Sequence, residues 1–253
     1  MTASALMLAA ALASTEAAQA PGEEPTPCEA VSPRDWRNPN PVPPWQGARK
    51  VAGPNFDPRR AGDGPLIVQG GDLRRVSFKG VKLSRVCFES SNLAGTDWTG
   101  AEVSDSAFVH TDIKGATLAG RFPRTRFVSA ALDGAKADAA DLSEASFEGG
   151  SFGGLSLRRA RLRGFKLDCS ANLFVHGDHC TDSAPNSEEA APPAPVDARG
   201  ADLTEAEFVE WDGAWTLHGA VIDRTRVEIQ AAGWLRGAVF RGPIVVTGGS
   251  ESL

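Results

Sequence analysis

From residue 66 onward, apolar residues recur at every fifth position. Val68, Leu73, Phe78, Leu83, Phe88, Leu93, Trp98, Val103, Phe108, Ile113 and Leu118 form the first series. One residue is then skipped, and the series resumes with Phe122, Phe127, Leu132, Ala137, Leu142, Phe147, Phe152, Leu157, Leu162 and Leu167. Neither the 3.6-residue period of a helix nor the two-residue period of a strand produces this spacing. Two residues before each centre stands a small or branched residue, as at Val76, Val81, Thr96, Ala101, Thr125 and Ala140. Upstream the pattern is different: residues 21–65 hold 11 of the 17 prolines. Such a stretch donates too few backbone hydrogen bonds for a sheet interior and reads as an extended or polyproline-type arm, with Trp36, Trp45 and Phe56 as anchors over an exposed core end.

Local strings such as Ser91-Asn92-Leu93-Ala94-Gly95 and Ala140-Asp141-Leu142-Ser143-Glu144 resemble the A(D/N)LxX unit of the pentapeptide-repeat family. The resemblance spans roughly residues 66–245. It implies an all-β fold, a right-handed, four-sided parallel β-helix with the centre and the residue two before it pointing inward. Five residues per side then stack every fourth centre, on rungs ~4.7 to 4.9 Å apart. One column becomes Phe88, Phe108, Phe127, Phe147 and Leu167, and a deletion at a corner near Arg121 keeps its phenylalanines aligned. Another reads Leu73, Leu93, Ile113, Leu132 and Phe152, with Gly95, Gly115, Gly134 and Gly154 at its corner, where the missing Cβ suits a tight turn.

Outward positions carry a second pattern. Before the centres of one side come Lys82, Glu102, Arg121, Asp141 and Arg161, and two after the first four centres come Arg85, Asp105, Arg124 and Glu144. The signs alternate rung by rung, so neighbours attract and the face reads as solvated ion-pair ladders, with a charged docking face as the alternative. Ser170–Phe174 looks like one more repeat, closing a regular region at 66–174. Residues 175–200 are polar and Pro-rich and read as a protruding loop. Residues 201–253 return to irregular repeats, with Trp234, Phe240 and Ile244–Val246 expected to close the far end, as terminal coils must hide an apolar cross-section.

The 253-residue chain has a formal charge of −6, and its first twenty residues add a short apolar run, Leu6–Ala13, before Ala18-Gln19-Ala20. That is the shape of a secretory leader, although no Lys or Arg precedes Arg34; a mis-assigned start or a cytoplasmic Ala-rich tail are the alternatives. No run reaches the roughly 18 apolar residues of a membrane span. The four cysteines fit disulfides in an exported chain, and four allow three connectivities. Proximity favours Cys169 with Cys180, leaving Cys28 for Cys87 and tying the arm to the repeats. Thr26 and Pro27 give Cys28 none of the small-residue context of a lipid-modified cysteine.

Candidate chemistry is sparse. Cys169, His176, His179 and Cys180 are zinc-type ligands, but His179 and Cys180 are adjacent, and a disulfide at the loop base competes for the thiols. No nucleophile elbow, P-loop or dinucleotide glycine pattern occurs, so neither catalysis nor a cofactor is expected. Arg158, Arg159, Arg161, Arg163 and Lys166 form a basic run that could take an anionic partner or pair with nearby acids such as Asp168, Glu188 and Glu189. The resemblance also brings in DNA mimicry toward a type II topoisomerase. Residues 71–167 oppose it, carrying 15 Lys or Arg against 11 Asp or Glu, because a phosphate-like surface needs continuous negative charge. Inward-facing aromatics likewise argue against nucleic acid. The expectation is a non-catalytic, periplasmic or secreted module of the bacterial envelope that recognises a protein or glycan. A cytoplasmic topoisomerase-protecting protein is the alternative, and a metal-binding loop protein the second.

Overall fold

The computed structural model describes residues 28, 45, 47–62, 64–168, 194–211, 215–229 and 237–247. They form a four-sided parallel β-solenoid. Short strands return in register after each coil, and one side, here side A, builds a ten-stranded parallel sheet running from Arg49–Ala52 to Val245–Thr247. Its inward column is Val51, Val68, Phe88, Phe108, Phe127, Phe147, Leu167, Phe208 and Val227, and the last strand sets Val246 opposite Val227. Sides B, C and D follow with columns that begin at Leu73, Phe78 and Leu83. Bridges such as Asp72↔Asn92, Asp97↔Thr117 and Lys82↔Glu102 hold them in step.

The five-residue period has a local cause at each corner. An Asp or Asn just before the centre accepts a hydrogen bond from the backbone N–H two residues on, as Asp97 does from Thr99 (2.8 Å) and Asn92 from Ala94 (3.1 Å). The residue two after the centre takes the left-handed conformation, with φ of 69° at Gly95 and 56° at Arg85. The small residue before the next centre then turns inward. The Thr96 and Thr125 hydroxyls each donate to a carbonyl, Leu93 O at 2.6 Å and Val103 O at 2.9 Å, whereas the buried Thr111 hydroxyl has no partner among the described residues.

The core is a set of aligned aromatic columns. Phe88, Phe108 and Phe127 stack at 5.1 and 5.0 Å with planes within 10° of parallel, and Phe78 lies 3.9 Å from Trp98. All are fully buried, each Phe contributing roughly 1.5 to 3 kcal/mol. The shortened side lies between Leu118 and Phe122. At the neighbouring corners the inward N–H bonds the carbonyl three residues back, as Ala101 N does to Trp98 O and Ala116 N to Ile113 O. Gly120 N instead bonds Leu118 O at 2.7 Å, so one corner residue is absent and the phenylalanine column continues through Phe108↔Phe127.

Three boundaries differ from the sequence expectation. The sheet already begins at Arg49–Ala52, inside the segment assigned to the arm, because an edge strand needs partners on one side only. Residues 196–197, assigned to the loop, form a strand that pairs with Trp215–Thr216 and bridges Ser156, so the stack resumes before residue 200. At the far end Phe240 reaches its side D column but stays 50% exposed, so it does not seal the cross-section. Residues 1–20, most of the proline-rich arm, the expected repeat at 170–174, most of the loop and Trp234 lie outside the described residues.

Candidate binding surfaces

Side D carries the alternating charges as paired ladders. Arg124 forks onto Asp105 at 2.6 and 2.8 Å, and Arg121 reaches Glu102 at 3.4 Å on one rung and Asp141 at 3.7 Å on the next. Lys82 stands 4.0 Å from Glu102, and the ladder resumes past the insertion with Arg224 on Glu205 at 2.9 Å. The hydrogen bond from Arg124 holds the Asp105 carboxyl below its ordinary range. Both signs are matched within the side, which leaves no continuous field of one sign there.

Side A is different, because its outer surface is apolar and covered. Outward-facing Ile67, Cys87, Ala107, Val109 and Val128 are buried with Cys28 and Trp45 in a second cluster separate from the tube's interior. Cys28 is joined to Cys87 by a disulfide, with Cα atoms 6.2 Å apart. The Cys28 N–H also donates to Glu89 Oε2 at 3.1 Å, satisfying a carboxylate that is itself buried. The upstream segment is therefore fixed to a flank at Cys28 and Trp45. Trp45 was expected over the core end; of the expected anchors among the described residues Phe56 takes that place, 5.5 Å edge-on from Phe88, and Trp36 lies outside them. Further along the flank, Arg126 forks onto the fully buried Glu148 carboxylate at 2.9 and 2.6 Å, and Ser146 Oγ donates to the same group at 2.6 Å.

The repeat unit itself identifies the architecture. Residues 125–164 match the family model for pentapeptide repeats, in eight copies. This stretch is built of pentapeptide repeats, and the described residues around it continue the same parallel β-solenoid. No curated protein matches its sequence. Among solved structures it is similar to full-length QnrB1, a plasmid-mediated fluoroquinolone resistance protein, at 13% identity over 80% of this chain and 92% of that one, with a TM-score of 0.46. It is also similar to a pentapeptide repeat protein from the cyanobacterium Cyanothece 51142, at 16% identity over 70% and 89% of the two chains and a TM-score of 0.32. A third is HetL, involved in heterocyst differentiation regulation in Nostoc sp. strain PCC 7120, at 16% identity over 79% and 86% with a TM-score of 0.21.

Within this pentapeptide-repeat solenoid the basic run is not one patch. Its five charges wrap one coil: Arg158 and Arg159 lie on side C and its corner, Arg161 and Arg163 on side D, and Lys166 on side A. Arg158 pairs with Asp197 at 2.7 Å and Lys166 with Asp168 at 3.2 Å. Arg161 sits between Asp141 and Asp202 on the adjoining rungs. Sequence clustering along a coil thus spreads charge around the tube, and neighbouring rungs neutralise part of it. Cys169, His176, His179 and Cys180 lie outside the described residues, among which no cluster of metal-ligand type occurs. His110 sits two residues after the Phe108 centre, at a corner, with φ of 52° and half-buried.

The covered flank was missed by sequence reasoning. Its signal was legible: a repeat places mostly polar side chains just before and after the centre, and Ile67, Cys87, Ala107, Val109 and Val128 concentrate the large exceptions on one side.

Proposed function

We propose that the protein is a non-catalytic binding or structural module exported to the cell envelope, with its upstream segment stapled to a rigid solenoid. The observation that carries this reading is the Cys28–Cys87 disulfide, whose two cysteines are both 0% exposed. Disulfides persist in oxidising compartments and are rare in the cytosol. The leader-like Leu6–Ala20 points the same way, and no helix among the described residues is long and apolar enough to cross a membrane. Pentapeptide-repeat proteins are generally structural or binding modules, and stacked rigid coils suit a partner that reads a fixed surface. The partner class is an envelope protein or glycan.

Intact-mass analysis of protein purified from its own cells tests the reading. Export requires an N-terminus at Pro21 and oxidised cysteines; Met1 retained together with free thiols contradicts it. The competing role, protection of a type II topoisomerase, is separated by a supercoiling assay. Stoichiometric protein is expected to leave gyrase activity and its quinolone sensitivity unchanged, and protection would reverse the ranking.

A further inference from the structure

The chain's charge is strongly polarised along the solenoid axis. Residues 47–85, which build the first strand, the turn over the core end and the first coil, carry nine Lys or Arg and three Asp. Residues 86–253 carry 15 Lys or Arg and 24 Asp or Glu. The starting end is therefore +6, residues 86–167 of the following coils are neutral with ten charges of each sign, and the −9 falls in residues 168–253. Arg49 and Lys50 lie on the edge strand, Arg59 and Arg60 on the 3-10 turn Pro58–Arg60, and Arg74 and Arg75 on side B of the first coil; all six are exposed. Three more follow on the next sides of that coil. The positive groups thus ring the end rather than line one side.

Acids take up part of this, and Lys79 and Lys82 each stand 4.0 Å from an acid of the next coil, Asp97 and Glu102. Asp72 holds Arg74 at 2.6 Å, and Asp57 faces Arg60 at 3.4 Å while its carboxylate also accepts from Arg59 N. Among the described residues no ion pair reaches the Arg59 or Arg75 side chain. At this end lies a shallow depression of about 210 Å³ lined by Phe56, Asp57, Pro58, Arg59, Val76 and Ser77.

We infer that this end is a docking cap for an anionic phospholipid surface, on which the solenoid stands end-on. A ring of exposed cations at the end of a rigid tube is matched by a plane of phosphates. A linear polyanion would engage only an arc of the ring, and laid along the tube it would meet coils of no net charge. Each Lys or Arg brought to an anionic membrane contributes about 1 kcal/mol, and the attraction falls off within a Debye length of about 8 Å, so the distal acidic coils are repelled only weakly. The inference goes beyond the envelope reading and is independent of export, since anionic lipid faces both aqueous sides of a bacterial membrane.

Vesicle co-sedimentation with the full chain tests it. Phosphatidylglycerol/phosphatidylcholine vesicles should pull the protein down at low salt, pure phosphatidylcholine should not, and high salt should release it. Arg59→Glu, Arg60→Glu and Arg75→Glu combined should weaken binding at least about tenfold. The charge-matched triple Arg159→Glu, Arg161→Glu and Arg163→Glu should weaken it far less. If the first triple loses its β-sheet circular dichroism, the neutral set Arg59→Gln, Arg60→Gln and Arg75→Gln replaces it and should give a smaller loss of the same sign. Failure to sediment with anionic vesicles, an equal loss in the two charge-reversed triples, or tighter binding to heparin or DNA than to vesicles would each overturn the inference.

Discussion

Gly120 occupies the one corner from which a residue has been removed, and the space there is measurable. A Cβ at this position would stand 2.6 Å from Ala101 O and 2.9 Å from Trp98 O, both backbone atoms that cannot swing away. Gly120→Ala is therefore expected to cost about 3 kcal/mol by overpacking, read as a lowered urea midpoint. Gly115→Ala is the contrasting case: φ is 63°, but a Cβ there meets nothing within 4 Å. It should cost only about 1 kcal/mol, the ordinary penalty of a left-handed L-residue. Equal costs at the two glycines would contradict the steric explanation of the short side. In the column beside it, Phe108→Ala removes the ring between Phe88 and Phe127 and should cost about 4 kcal/mol, whereas Phe108→Leu, which keeps most of the volume, should cost well under half of that.

At the scale of the elements, the corners and ladders depend on ionised carboxylates. The hydrogen bond from Arg74 draws Asp72 down from 3.8 to about 2, and those from Arg199 and then Arg158 hold Asp197 lower still. A carboxyl whose folded value is depressed stabilises the fold fully above its unfolded value and loses that contribution as pH falls through the folded one. The thermal midpoint should be level from neutrality to about pH 5 and then fall between about pH 4 and pH 2. A midpoint unchanged to pH 2 would show that the carboxylates contribute nothing. Because the pairs are exposed, a double-mutant cycle on Asp105 and Arg124 should return only about 0.2 to 1 kcal/mol. These ladders were legible in the sequence, since charge sign at a fixed offset from each centre is a one-dimensional pattern that the coil maps onto a line. The basic run was misleading for the converse reason. Neighbours in sequence along a coil face different sides, so Arg158 and Lys166 point away from one another although eight residues apart.

Over the whole molecule, the columns could be followed from the five-residue period even across the skip, because Phe108 and Phe127 share a residue type that flags their register. The flank on side A was harder to foresee. Cys28 and Trp45 come from a segment without periodicity, and only the misplaced apolar residues at Cys87, Ala107 and Val109 betray what they cover. Loss of that staple should be felt globally: Cys28→Ser with Cys87→Ser is expected to lower stability by about 2 to 4 kcal/mol. With both cysteines buried, the native disulfide should also resist thiol reductants until the chain unfolds. All of these expectations presuppose one stacking register, which an experimentally determined structure tests most directly at the short side. The Phe108 and Phe127 rings should lie parallel about 5.0 Å apart, with Glu102 opposite Arg121. A structure that keeps a twenty-residue step there, setting Phe108 opposite Val128 and Glu102 opposite Phe122, would contradict it.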